Sequence, residues 1–213
     1  MAISFGDAKG TAKKGLIESY EYKNGDQKVR IVDGLLARYV YWIKGTNNKN
    51  IPFECLSFDR EAEAFVNKEK DWVAEFYPDL KCSWAYATKC LDPTDGKIKV
   101  LNLKKKLLKA ILNAAEDLGD PTDLDNGWWV HFKRTKTGPN IYNVEYELQP
   151  LRCKKEPLTE EQKALVEESP SIDKCIPRPT AEAQKKLLEE IQAKLSEGSD
   201  DMNSDVKEEF DVE

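Results

Sequence analysis

Residues 81–118 read KCSWAYATKCLDPTDGKIKVLNLKKKLLKAILNAAEDL, and the hydrophobic period changes twice within them. Lys81–Leu91 alternates apolar and polar side chains, the period of a half-buried strand. The run stops at Asp92-Pro93-Thr94-Asp95-Gly96, a turn by composition. Ile98–Leu103 is a second, shorter strand. From Lys104 to Leu118 the period becomes helical, with Leu107, Leu108, Ile111, Leu112 and Ala115 on one face and Gly119 placed as a C-cap. Strand, tight turn, strand and helix in so few residues predict an antiparallel sheet with a helix packed on it.

Outward from this centre the pattern repeats. On the N-terminal side, Gln27–Val32 alternates around Val29 and Ile31. Leu35–Ile43 (LLARYVYWI) is the strongest β segment of the chain, and the polar run 45–50 turns it into a returning strand at Ile51–Phe58. Asp59–Phe76 changes character: Ala62, Phe65, Val66, Trp72, Val73 and Phe76 recur at near-helical spacing behind a capping Asp59, which predicts a helical insert ended by Pro78. On the C-terminal side, Trp128–Lys133 and Ile141–Leu148 form a second hairpin across Gly138-Pro139. A short helix opens at Thr159 and runs to about Glu168. A Pro-punctuated linker covers 169–179, and Thr180–Leu195 is a helix with a Thr N-cap. The fold class is therefore mainly β with helices, α+β. Five or six short antiparallel strands interrupted by one helix suit a five-stranded barrel of the oligonucleotide-binding (OB) type, with a helical insert and a C-terminal helix. The expected organisation is a flexible arm at 1–15, a core at 16–152, linker and helices at 153–196, and a disordered tail at 197–213.

Charge is unevenly spread over the 213 residues. Residues 1–154 hold 25 Lys and Arg against 22 Asp and Glu, a net of +3, whereas residues 155–213 hold 8 against 17, a net of −9. The last stretch, 197–213, has eight acids and one base. An acidic tail behind a mildly basic body suits a protein that binds polyanions and releases them, or recruits partners; solubility alone is the other reading. No apolar run matches a signal peptide or a membrane helix, so a cytoplasmic protein is expected. Five Cys without export signals read as reduced thiols. No Cys-x-x-Cys pair occurs and His131 is the one histidine, so no zinc site and no cofactor is expected. Asp120, Asp123 and Asp125 lack calcium-loop spacing and read as turn formers. Neither a phosphate loop nor a nucleophile elbow is present, which argues against an enzyme.

What recurs is an aromatic beside a cation on a strand: Arg38-Tyr39-Val40-Tyr41-Trp42-Ile43-Lys44, then Lys81 to Lys89 with Trp84 and Tyr86, then Trp128-Trp129-Val130-His131-Phe132-Lys133-Arg134. Single-stranded nucleic acid needs this mixture, flat rings for base stacking and cations for phosphates. The competing reading puts the aromatics in the core and the cations at solvated edges. Lys104, Lys105 and Lys106 oppose the macrodipole of the helix they open, so helix stability does not explain them; phosphate contact or a solvated face does. The candidate DNA-binding set is Arg38, Tyr41, Trp42, Lys44, Lys81, Trp84, Tyr86, Lys89, Lys99, Lys104, Lys105, Trp129, Lys133, Arg134 and Tyr142.

Lys81-Cys82-Ser83-Trp84-Ala85-Tyr86 leading to Asp92-Pro93, Gly96-Lys97 and a Lys-rich amphipathic helix resembles the single-stranded DNA-binding, helix-destabilising proteins of T-even-type bacteriophages. The Gly119-Asp120-Pro121-Thr122-Asp123 loop, the aromatic strand after it, Tyr142–Tyr146 and the acidic tail follow the same order. The resemblance covers about residues 27–150 plus the tail. It implies an OB-fold that binds single-stranded DNA without sequence preference in phage replication, recombination and repair. It also implies a tail (Asp200, Asp201, Asp205, Glu208, Glu209, Phe210, Asp211) that contacts replication and recombination proteins and shields the groove. By resemblance, Lys81, Trp84, Tyr86 and Lys89 line the DNA cleft, with Lys99, Lys104 and Lys105 near the phosphates. Two features depart from that family. Its zinc subdomain follows the first hairpin, but here Cys55 has no Cys or His after it through residue 77. Zinc is thus expected to be lost, with Phe65, Trp72 and Phe76 packing in its place. Its basic arm is reduced to Lys9, Lys13 and Lys14, which leaves cooperative self-association on DNA open. Rival readings are a replication adaptor that binds proteins rather than DNA, a nuclease using the acids at 120–125, and an RNA preference.

Overall fold

The computed structural model describes residues 17–45, 50–139 and 143–197. In chain order the elements are β1 (Gly25–Ile31), β2 (Leu36–Lys44), β3 (Asn50–Glu54), β4 (Phe58–Asp59), β5 (Ala64–Phe65), α1 (Trp72–Phe76), β6 (Ser83–Asp92), β7 (Lys97–Leu103), α2 (Lys105–Leu118), β8 (Trp129–Lys136), β9 (Val144–Leu148), a 3-10 turn at Pro150–Arg152, α3 (Glu160–Glu168), α4 (Ile172–Cys175) and α5 (Ala181–Glu197). The chain divides into two compact units. One takes residues up to Arg38 together with Trp84–Arg178, and the other takes Tyr39–Ser83 together with the residues from Pro179 on.

In the first unit, β7, β6, β1, β8 and β9 follow one another as antiparallel neighbours, and β2 enters beside β6. Register follows the alternation: Val29 lies opposite Val130 and Gln27 opposite Phe132. Val29, Ile31, Val130 and Phe132 face one core with Cys90, Leu101, Leu103 and Trp128, and α2 covers it with Leu107, Leu108 and Ile111. Each fully buried aliphatic side chain of this kind contributes about 1.5–3 kcal/mol. The turn after β6 closes through the Gly96 N–H on the Asp92 carbonyl at 2.9 Å, with Gly96 at φ +68°. Gly119 caps α2 at φ +79°, its N–H on the Ala115 carbonyl.

The second unit holds the β2–β3 hairpin, where Tyr41 pairs with Phe53 and Trp42 with Pro52. Its helices are α1 and α5. The structure corrects the reading of 59–76 as one helix. Asp59 does accept the N–H groups of Glu61 and Ala62, each at 3.0 Å. The chain then turns through Glu63 and Asn67, both at left-handed φ of 46° and 50°, which no α-helix tolerates. The apolar spacing is satisfied instead by a β4–β5 hairpin whose Phe58 and Phe65 rings meet Tyr39 at 4.7 and 4.8 Å. Helicity survives only at Trp72–Phe76, capped by Asp71.

The class is mixed α and β around an antiparallel sheet, compatible with an OB-fold. Among the described residues the barrel is not closed: in the first unit β7, β6, β1, β8 and β9 run as an open ladder. The ten-residue β6 explains this, pairing along Tyr86–Asp92 with β7 while giving only Cys90 and Leu91 to β1.

Candidate nucleic-acid interface

An aromatic floor forms at one end of the first unit's core. Residues 18–22 run beside β7, with Tyr20 N–H donating to the Val100 carbonyl at 2.8 Å and Val100 N–H to the Glu18 carbonyl at 2.9 Å. This lays Tyr20 and Tyr22 across the core end. Tyr22 meets Tyr20, Tyr146 and Phe132 with centroids at 5.4, 5.2 and 5.8 Å. Its hydroxyl donates to the Asn102 carbonyl at 2.9 Å. On β6, Trp84 and Tyr86 project from the face that continues to Cys90 and sit edge to ring at 5.3 Å, half-buried against the same core. Burial pushes the Tyr20 and Tyr22 phenols well above their ordinary range, so the rings stay neutral and do not repel an anion.

Cations stand over this floor. Lys104, the N-cap of α2, has no side-chain capping bond, and no acid occupies the first turn. Its ammonium lies 5.5 Å from the Tyr22 centroid, and that of Lys105 lies 5.0 Å from the Trp84 centroid, both within cation–π range. Burial first, and then Arg134, hold the Lys104 pKa below the ordinary lysine value. Arg134 follows Phe132 on the inner side of β8, donating from Nε to the Tyr146 hydroxyl at 3.4 Å and from a terminal nitrogen to Asn24 Oδ1. Arg38 donates to Asn102 Oδ1 at 3.2 Å. The uncapped N–H groups of the first α2 turn add a further positive end. Cations crowded beside neutral rings, with no acid in the first turn of α2, suit a ligand that carries phosphates and flat bases together.

Of the residues expected from sequence, Arg38, Trp84, Tyr86, Lys104, Lys105 and Arg134 are brought together here. Others are engaged elsewhere in the same unit. Lys99 is held between Asp92 and Asp95 at 2.7 and 2.8 Å. Lys89 is buried, paired to Asp33 at 3.2 Å and donating to Ser169 Oγ at 2.9 Å. Trp129 is 6% exposed and packs with Val32, Leu91 and Leu158 beneath the Lys28 ammonium. Lys133 is exposed, opposite Asp26 in the ladder. In the second unit Tyr41 is buried on Asp71 and Cys55, whereas Trp42, 52% exposed, shares the open face of β2 with Lys44, and Lys81 is exposed. Tyr142, the arm lysines and the tail acids from Asp200 on lie outside the described residues.

Sequence reasoning missed Tyr20, Tyr22, Asn102 and Tyr146. A signal was present in Tyr20-x-Tyr22, an alternation of two, but too short to name a strand. Asp120 and Asp123 serve as turn formers: Asp120 Oδ1 accepts Thr122 N–H, and Asp123 Oδ1 accepts those of Asp125 and Asn126. Among the described residues no group of three or more His, Cys, Asp or Glu is placed to hold a metal. No helix among them is long and apolar enough to cross a membrane.

No family model matches the chain. Among known proteins, one from Escherichia phage T5, described as a probable ssDNA-binding protein, is 30% identical over 97% of this chain and 91% of its own length.

Proposed function

Since the chain belongs to the family of that phage T5 protein, we propose that it binds single-stranded DNA without sequence preference and without catalysis. The observation that carries this is the cluster of Lys104 over Tyr22, Lys105 over Trp84 and Arg134 on the Tyr146 hydroxyl, with no acid in the first turn of α2. Phosphates bind the cations and the α2 N-terminus, releasing counterions. Bases stack on Trp84 and Tyr86 at about 1–3 kcal/mol each. A duplex keeps its base faces stacked internally, so preferential binding to single strands lowers duplex stability by mass action.

The narrower assignments belong to the same proposal. The T-even likeness rests on the motif order from Lys81 to Tyr146. Phage DNA replication, recombination and repair, in the host cytoplasm, is the setting that likeness implies. The acidic tail competes with DNA for the basic face and recruits replication proteins, and zinc is absent from the place where that family holds it.

Titrating the full-length protein with oligo(dT), read through tryptophan fluorescence at low and moderate salt with a duplex control, tests the reading. Saturable quenching that weakens with salt and is absent for duplex is expected. The net of only +3 on residues 1–154 favours one other reading, a protein-binding adaptor. If neither the full chain nor residues 1–196 binds oligo(dT), the adaptor reading replaces this one. Tighter binding of oligo(U) than oligo(dT) would move the assignment to RNA.

A further inference from the structure

We propose that Lys105 covers the stacking surface of Trp84 in the free protein and yields it when a phosphate takes the ammonium, so that a base is admitted only together with its backbone. This deepens the single-stranded DNA reading and rests on it. The Trp84 ring packs on the core from one side and against Tyr86 at 5.3 Å from another. The Lys105 ammonium stands over the ring, 5.0 Å from its centroid, and Trp84 is half-buried.

Lys105 is exposed and is the first residue of α2, so its side chain swings without disturbing the helix. Among the described residues the ring is a stabilising contact of Lys105; the first turn of α2 contains no acid, and Lys104, Lys106 and Arg134 are like charges. A phosphate at the α2 N-terminus is a stronger partner than a ring, because it offers full charge as well as the helix-end field. Once the ammonium moves to the phosphate, the ring surface is free, and the base attached to that phosphate is within reach of it. A nucleoside has no phosphate to draw Lys105 off and therefore has to compete with the cation for the ring. Stacking becomes conditional on the backbone, which makes Lys105 a positioning and selectivity residue as well as a source of charge.

Acrylamide, a neutral quencher, reports the exposure of Trp84 when each protein is compared with its Trp84→Phe counterpart. In the DNA-free protein, Lys105→Met is expected to raise Trp84 quenching about twofold, the population change that a cation–π contact of exposed-site strength sustains. A fluorescein-labelled abasic oligonucleotide, bound to saturation by anisotropy, is expected to raise Trp84 quenching in the wild type, while oligo(dT) lowers it. The salt slope of oligo(dT) binding should fall by about 0.7 in Lys105→Met, one phosphate of a single strand. Unchanged Trp84 quenching in DNA-free Lys105→Met overturns the proposal, whatever the DNA arms show. A wild type that binds no oligo(dT) overturns instead the functional reading, and the DNA-free comparison still reports on the covering contact.

Discussion

Lys104 titrates under two influences of one sign, desolvation and Arg134, so it gives up its proton at lower pH than an ordinary lysine. Its charged form is the one that binds phosphate, so affinity for oligo(dT) at fixed salt should decline as pH rises towards the ordinary lysine range, earlier than an unperturbed lysine would make it. Lys104→Met should bind more weakly at neutral pH and lose that part of the decline; parallel pH profiles for the two proteins would refute the assignment. Trp84→Ala should cost about 1–3 kcal/mol of oligo(dT) affinity with the salt slope unchanged, since a ring carries no counterion. Away from the site, Arg30 is fully buried and donates to the Asp123 carbonyl at 2.6 Å, with the 120–127 loop wrapped over it. Gly127 is the position where that loop closes. A Cβ there would lie 2.4 Å from the Asp123 carbonyl oxygen and 2.7 Å from the Arg30 guanidinium. Gly127→Ala should therefore destabilise the protein by about 1–3 kcal/mol, read as a lowered midpoint in urea. The turn-forming role of Asp120 and Asp123 was legible in sequence because it needs only neighbours along the chain. The burial of Arg30 was not, because its partners lie about ninety residues away.

Helix α5 shows how one polar side chain anchors an element. Gln184 is 2% exposed and makes three hydrogen bonds, using both amide donors and its oxygen. Its Oε1 accepts Trp72 N–H at 2.8 Å, and Nε2 donates to the Glu54 carbonyl at 2.8 Å and to Asp71 Oδ1 at 3.3 Å. Asp71 in turn caps α1 and accepts Leu56 N–H at 3.0 Å and the Tyr41 hydroxyl at 3.3 Å. Leu188 and Ile191 bury the same side of the helix. Gln184→Ala strips three bonds and leaves buried groups unpaired, which should cost about 2–4 kcal/mol and expose α5 to limited proteolysis. Unchanged stability and cleavage would show that the apolar contacts alone hold the helix. The thin apolar stripe of α5 was visible in sequence, but the Gln at its centre reads as surface until its partners on β3 and α1 are known. The 59–76 segment failed for the opposite reason: its helical spacing was real, and the Tyr39, Phe58 and Phe65 cluster overrode it.

For the whole molecule, the net of +3 before residue 155 and −9 after it gives the tail proposal its measurable form. Removing residues 197–213 should tighten oligo(dT) binding most at low salt and least at high salt, because exposed charges interact over a Debye length of about 10 Å at 0.1 M. Equal affinities for the full-length and shortened chains across salt would remove the competition between tail and DNA. Sequence alone determined the mixed α and β class, the strand–turn–strand–helix centre at 81–118, the capped helices after Thr159 and Thr180, and the pairing of cations with aromatics. These are local properties, set by period, turn chemistry and capping within a few residues. Tertiary structure decided which of those cations are available. Lys89 and Lys99 went to internal ion pairs, while Lys104, Lys105 and Arg134 gathered over rings supplied from residues 20, 22, 84 and 146. A charged side chain is spent or available according to what lies across the sheet from it, and that neighbour is chosen by long-range pairing, which no short window of sequence contains.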